Sequence, residues 1–360
     1  MNIISLFSGC GGLDLGFANA GFNVIWANEY DKDIWETYEL NHPHTYLDRR
    51  DLRQIESNGI PDRIVGIIGG PPCQSWSEAG SGRGINDARG KMFYDYIRIL
   101  KEKQPLFFLA ENVNGILADK HTDAFTNILY QMKDAGYDIT YKLLNSKHFN
   151  VPQERKRVII VGYREDLGGI FDFPKELDYI LTLKDAIDDL GSIEPFKTSR
   201  VPKSDNLSIP NHEYLDMGFS SIYMSRNRVR RWHEPSFTIQ AGGRHAPIHP
   251  QANKMIFVER DKFKFDPKSP FSYRRLSVRE CARIQTFPDR FIFKYNDVAD
   301  GYKMIGNAVP VNMAEIIAAK IFTDIQEYQE LGYCNHLRQA PPTERIRLIE
   351  RSSLDPVVCS

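Results

Sequence analysis

The chain is poor in cysteine and carries almost no net charge, with five cysteines in 360 residues and a formal charge of −1. Cys10, Cys73, Cys281, Cys334 and Cys359 are odd in number and never closer than 25 residues. That spacing suits neither a disulfide framework nor a clustered zinc site, so a reducing compartment and no bound metal are expected. No apolar run reaches membrane-spanning length, and Met1-Asn2-Ile3-Ile4-Ser5 lacks the basic start of a secretory signal. A cytoplasmic protein with no membrane partner is the expectation. There is no internal repeat and no long low-complexity segment. Near-neutrality also removes any global attraction to polyanions, so a nucleic-acid partner would have to be met by local patterning. One stretch has that pattern. Between Tyr223 and His245 stand Arg226, Arg228, Arg230, Arg231 and Arg244 against the single acid Glu234, a local charge of +4.

What is present is the composition of a globular protein, 42% hydrophobic and 26% charged. Up to about residue 165, short apolar runs alternate with amphipathic stretches, the pattern of a parallel sheet flanked by helices. Strands are expected at Ile3–Phe7, Phe22–Ala27, Ile64–Ile68, Leu106–Leu109, Tyr137–Leu144 and Val158–Val161. Helices are expected at Leu13–Ala20, Lys32–Asn41, Met92–Lys103 and Ala124–Ala135, with a later one at Val311–Ile325. The fold class is therefore α/β, a doubly wound, mostly parallel sheet. From about Phe171 to Lys268 prolines and polar residues scatter among short strand-like pieces such as Ser236–Gln240 and Met255–Val258. That shift marks a second, smaller and irregular domain. The expected division is 1–170 for the sheet domain, 171–290 for the second domain, 291–330 for a return to the first, and 331–360 for a loosely packed tail.

Three sites along this pattern carry chemistry. Gly69-Gly70-Pro71-Pro72-Cys73-Gln74-Ser75 presents a thiol on a rigid turn just past a strand, where open α/β sheets hold ligands. Glu111-Asn112-Val113 follows the run Leu106–Leu109, and Gln153-Glu154-Arg155-Lys156-Arg157 precedes Val158–Val161. A thiol, a carboxyl group and a guanidinium thus meet at strand boundaries. Near the start, Phe7-Ser8-Gly9-Cys10-Gly11-Gly12 joins a strand to a helix, and Glu29 at the tip of the next strand is placed to accept two ribose hydroxyls. A glycine dinucleotide fingerprint would need glycine where Asp14 stands, which argues against a dehydrogenase. Near the end come Arg275-Leu276-Ser277-Val278-Arg279-Glu280-Cys281-Ala282-Arg283-Ile284-Gln285-Thr286-Phe287-Pro288 and Gly306-Asn307-Ala308-Val309-Pro310.

In that order, across about nine tenths of the chain, these motifs resemble the DNA (cytosine-5)-methyltransferase family, restriction-modification type. The ending Pro-Pro-Cys separates it from amino-group methyltransferases, which carry an aromatic residue there. The resemblance implies S-adenosyl-L-methionine as cofactor, held by Phe7, Gly9, Gly11, Gly12, Leu13, Glu29, Tyr30, Asp51, Leu52, Pro72, Asn307 and Val309. It implies Cys73 as the nucleophile, Glu111 as the acid at ring nitrogen 3, and Arg157 at the carbonyl oxygen with Arg155 in support. Cysteine is suited to adding at carbon 6, because carbon 5 of cytosine is itself a poor nucleophile and needs activation. The target base must leave the duplex to be reached. The glycine-rich stretch Ser77–Gly90 would close over it, with Ser77, Arg83 and Arg89 toward DNA. Arg226, Arg228, Arg230, Thr238, Gln240 and Arg244 would read bases, because arginine forks pair with guanine.

The segment from Met224 to Ala252 resembles GGCC-specific modification enzymes, so the expected substrate is double-stranded DNA at GGCC, with GGNCC or another GC-rich palindrome as alternatives. A cognate restriction endonuclease and a monomeric state are further expectations. Two other classes stand beside this one. A tRNA-methylating branch would carry Cys-Phe-Thr where this chain has Ser236-Phe237-Thr238, and a silent DNA-binding module would have lost Cys73, Glu111 or the glycine turn.

Overall fold

The computed structural model describes residues 1–72, 92–202 and 208–330. Seven strands form one sheet: β1 (Asn2–Leu6), β2 (Asn23–Asn28), β3 (Tyr46–Asp48), β4 (Gly66–Gly69), β5 (Phe107–Val113), β6 (Tyr137–Asn145) and β7 (Lys156–Arg164). Their order is β3-β2-β1-β4-β5-β7-β6. β7 runs antiparallel to both its neighbours, while the pairs from β3 through β5 are parallel. The chain order reverses between β1 and β4, so a crevice opens beyond the carboxyl ends of those two strands.

Helices cover both faces of the sheet because the strands are apolar on both. Successive side chains point to opposite faces. Ile4, Ile67 and Phe108 pack on one side with Phe93, Ile97 and Leu100 of α3 (Met92–Lys103) and with Phe125 and Ile128 of α4 (Thr122–Asp134). Their neighbours Ile3, Ile68 and Phe107 pack on the other side with Leu13 and Phe17 of α1 (Gly12–Asn19) and with Met313, Ile317 and Ile321 of α8 (Val311–Glu330). The apolar character of α8 is thus spent in the core. A slip of one residue in any central strand would exchange the two faces.

α2 (Trp35–Asn41) follows β2, and α5 (Leu183–Ile187), α6 (Val278–Ile284) and α7 (Val298–Asn307) come later. Between Phe171 and Arg275 the described residues contain one short α-helix, α5, and two two-stranded pairs. Leu183, Ile187, Leu276, Cys281, Phe287, Tyr302 and Ile305 share a core with Cys10 and Ile34, which ties this part to the front of the sheet. A separate small cluster gathers Tyr223, Val229, Ile248, Ala252 and Met255 with Phe219, Phe265 and Tyr273. Buried arginines brace it. The Arg275 guanidinium donates to the carbonyls of Leu215, Met217, Gly218 and Arg244 and lies 4.2 Å over the Phe219 ring.

Candidate active site

The turn after β1 is built around left-handed backbone. Phe7, Gly9 and Gly11 have φ of 55°, 56° and 87°. Gly11 caps α1 without a side-chain bond, so the first-turn amides have no capping side chain. A Cβ at Gly11 would collide with the His42 ring and one at Gly12 with the Val309 carbonyl, whereas at Gly9 it would meet nothing within 4 Å. Glycine at 11 and 12 therefore serves packing, and Gly9 faces open space.

Glu29 closes this space from the end of β2. Its Oε2 accepts from the Gly9 amide at 2.9 Å and its Oε1 from the Asp31 amide at 2.7 Å. Each oxygen keeps a lone pair for a ribose hydroxyl. Burial holds the carboxyl above the usual range, and the two backbone bonds oppose that shift. Below the turn, Asp14 is fully buried, bonded by Ser5 Oγ at 2.7 Å and Tyr38 Oη at 2.6 Å, and burial pushes its carboxyl up to about 6. Val309 is buried behind Gly12, Asn307 is exposed, Pro72 is partly buried, and Leu13 and Leu52 are core residues. Tyr30 is 66% exposed. Asp51 is already engaged, because both its oxygens take the Arg53 guanidinium and its Oδ1 accepts the Arg53 amide, holding its carboxyl below the usual range. An adenine amino group would have to share it with Arg53. Open space at Gly9, amides for a carboxylate and a two-handed acid for a ribose together fit S-adenosylmethionine.

The second half of the crevice follows from strand register. β5 and β7 pair antiparallel with Val113 opposite Arg157. Glu111, two residues from Val113, shares its face, so it meets Arg157 on the diagonal. Arg157 Nε stands 2.8 Å from Glu111 Oε1, both side chains about nine-tenths buried. The N–H does not point along the hydrogen-bond direction, and Oε1 makes no hydrogen bond among the described residues. The other oxygen, Oε2, would meet a Cβ at Gly70 at 3.4 Å, and Asn112 Nδ2 donates to the Pro71 carbonyl at 3.3 Å. β5 thereby fixes the turn that leads to Cys73. Cys73 itself, with Ser77, Arg83 and Arg89, lies outside the described residues.

Arg155, expected in support of Arg157, lies in the interior. It is 1% exposed, and its guanidinium donates to the carbonyls of Ile239 at 3.0 Å, Gly306 at 2.9 Å and Ala308 at 3.0 Å. Those bonds make it a brace between elements. Arg228 departs from the sequence expectation. It is buried, bonded to the carbonyls of Tyr223 and Ile222 and stacked 4.7 Å over the Tyr223 ring, so its fork shapes the loop instead of facing a groove. Arg230 pairs with Glu154 and lies 4.1 Å over Phe237, and Thr238 Oγ1 donates to the Glu154 carbonyl. Arg226, Gln240 and Arg244 are exposed. Sequence reading missed Asn112 as the holder of the Pro71 turn, although it stands inside a quoted motif. No group of metal-ligating side chains occurs among the described residues.

This geometry has known counterparts. Residues 1–323 match the family model described as C-5 cytosine-specific DNA methylase. The chain belongs to that family. Among curated relatives, the Type II methyltransferase M.MthTI of Methanothermobacter thermautotrophicus is 58% identical over 91% of this chain and 98% of its own length. M.FnuDI of Fusobacterium nucleatum, also a Type II methyltransferase, is 53% identical over 92% and 97%. A crystal structure from E. coli, described as a DNA modification methyltransferase encoded within a prophage, is similar with a TM-score of 0.68 and 26% identity, covering 91% of this chain and 99% of that one. As a member of the cytosine-5 methylase family, the protein is a DNA methyltransferase that uses S-adenosylmethionine.

Proposed function

We propose that this methylase modifies the inner cytosine of GGCC in duplex DNA, as the protective partner of a restriction endonuclease, and acts as a monomer. The observation that carries the chemistry is the buried Glu111–Arg157 pair against the Gly70–Pro72 turn, which leads directly into Cys73. In this reading the Cys73 thiolate adds to carbon 6 of the flipped base. Electron density moves toward nitrogen 3, where Glu111 supplies a proton, and toward the carbonyl oxygen, where Arg157 donates a hydrogen bond. S-adenosylmethionine, when bound, provides an electrophilic methyl group to carbon 5. Methyl transfer leaves S-adenosylhomocysteine as the by-product, and loss of the carbon 5 proton to a base then breaks the carbon–sulfur bond, frees Cys73 as the thiolate and returns the nitrogen 3 proton to Glu111. Glu29 holds the ribose, the turn after β1 holds the methionine end, Phe7 lies against the adenine, and Asp51 takes its amino group in competition with Arg53.

Residues 171–290 form the target-recognition domain in this reading. Support for GGCC comes from the resemblance of Met224–Ala252 to enzymes of that specificity, and from the exposed donors Arg226, Gln240 and Arg244. The relatives' Type II designations support a nuclease partner. Bisulfite sequencing of a plasmid recovered from cells expressing the protein tests the site. Modification confined to GGCC is the expected result, and conversion-resistant cytosines in GGNCC or elsewhere would replace the site while leaving the chemistry intact. A duplex with 5-fluorocytosine at the target should trap a covalent adduct with the native protein and none with Cys73→Ala.

A further inference from the structure

A buried strut joins the recognition segment to the cofactor wall, and the chemical steps do not use it. Gln153 has no exposed surface; its Oε1 accepts from the Ile239 amide at 2.9 Å and its Nε2 donates to Gln285 Oε1 at 2.9 Å. Gln285, equally buried, donates through Nε2 to the carbonyls of Ile305 at 2.8 Å and Ala308 at 3.2 Å. Backbone groups at both ends fix the two amide orientations, since the Ile239 N–H needs an oxygen and the carbonyls need an N–H. Arg155 runs alongside, joining the Ile239 carbonyl to those of Gly306 and Ala308. Where Gly306 would carry a Cβ, the backbone of Gln240 and Ala241 already sits. The ends of the strut flank functional positions: Thr238 and Gln240 adjoin Ile239, and Asn307 and Val309 adjoin Ala308.

We propose that Gln153 and Gln285 are positioning residues that couple DNA recognition to cofactor binding, so that each ligand tightens the site of the other. The proposal rests on the assignment of residues 238–244 to DNA and of Asn307 and Val309 to the cofactor. Independent movement of either wall would leave a buried donor or acceptor unpaired, which penalises every state in which only one wall is ordered. Linkage makes the effect reciprocal.

The test measures binding of S-adenosylhomocysteine by calorimetry, with and without the duplex that the native enzyme is first shown to methylate. The duplex should tighten binding by roughly 5- to 150-fold. In Gln153→Met and Gln285→Met, affinity without DNA should stay within about threefold of native while the tightening disappears, and the double variant should lose no more than either single one. Retained tightening in either variant, or none in the native enzyme, overturns the proposal. Should the variants fold poorly, hydrogen exchange on the native enzyme decides: S-adenosylhomocysteine alone should slow exchange of the Ile239 amide, and unchanged exchange overturns it. A native enzyme that methylates no duplex would instead defeat the functional reading, and that failure is visible before any binding is measured.

Discussion

A carboxyl group that is to act on a base ring must be held in place without being fully neutralised by its own protein. Glu111 meets that condition, because Arg157 lies close enough to orient it while Oε1 keeps an unused lone pair. Glu111→Gln preserves shape and loses the proton, so kcat should fall by roughly 10²- to 10⁴-fold while DNA binding persists, as read by single-turnover kinetics and gel shift. Glu29→Ala should raise the dissociation constant for S-adenosylmethionine by roughly 10- to 100-fold, the loss of a charged hydrogen-bonding group, measured by calorimetry.

Asp14 adds a pH effect of definite sign. Its carboxyl titrates at about 6 in the fold against an ordinary 3.8, chiefly through burial, so the folded state holds the proton more tightly. Stability from this group is greatest below the ordinary value and declines as pH rises through that window, by about 3 kcal/mol in all. Asp14→Asn should remove the decline in denaturant titrations at pH 4 and pH 7; an unchanged slope would contradict the assignment. Residue types alone did not separate the arginines. Arg155 was expected to support Arg157 and Arg228 to read a base, yet both, like Arg275, are buried over backbone carbonyls, those of Arg155 and Arg275 coming from distant parts of the chain and those of Arg228 from Ile222 and Tyr223 nearby.

Among the elements, six strands were legible from their apolar runs, β1, β2, β4, β5, β6 and β7, with β5 expected at Leu106–Leu109. β5 runs on through Ala110-Glu111-Asn112-Val113, because polar residues at the site continue the ladder with β7. That continuation puts Glu111 inside the strand, and the antiparallel register with β7 then delivers Arg157 to it. β3 has three residues and too little pattern to be seen, and α7 begins among polar residues whose apolar partners lie in α6 and around Leu215.

α6 opens on a capping box in which Ser277 Oγ accepts the Glu280 amide and Glu280 Oε2 accepts the Ser277 amide. Glu280 also forms a buried two-bond pair with Arg274 at 2.8 Å. Burial alone would raise its carboxyl, but the bonds and charge of Arg274, with His249 and His212, bring it down to about 2. Its contribution is therefore full above the ordinary value of 4.5 and lost as pH falls toward 2. Ser277→Ala should cost about 0.5–2 kcal/mol in urea unfolding. Glu280→Gln, which leaves the Arg274 charge buried without its partner, should cost about 3–5 kcal/mol.

For the whole molecule, the sheet's switch point brings two sites together. The glycine turn follows β1, the Pro71–Pro72 turn follows β4, and the Glu111–Arg157 pair stands on β5 and β7, with Asn112 of β5 bonded to Pro71. Residues 219–273 hold a small core of their own, and Gln153, Arg155 and Gln285 tie Ile239 to Ile305, Gly306 and Ala308. The loops between Phe171 and Arg275 are shaped by tertiary bonds more than by local propensity, which is why their form was not legible in the sequence. A member of the cytosine-5 methylase family methylates carbon 5 of cytosine and not an exocyclic amine. The direct measurement is to incubate the protein with duplex DNA and methyl-labelled S-adenosylmethionine, digest to nucleosides and identify the labelled species. The expected result is label in 5-methylcytosine alone; label in N4-methylcytosine or N6-methyladenine would contradict it.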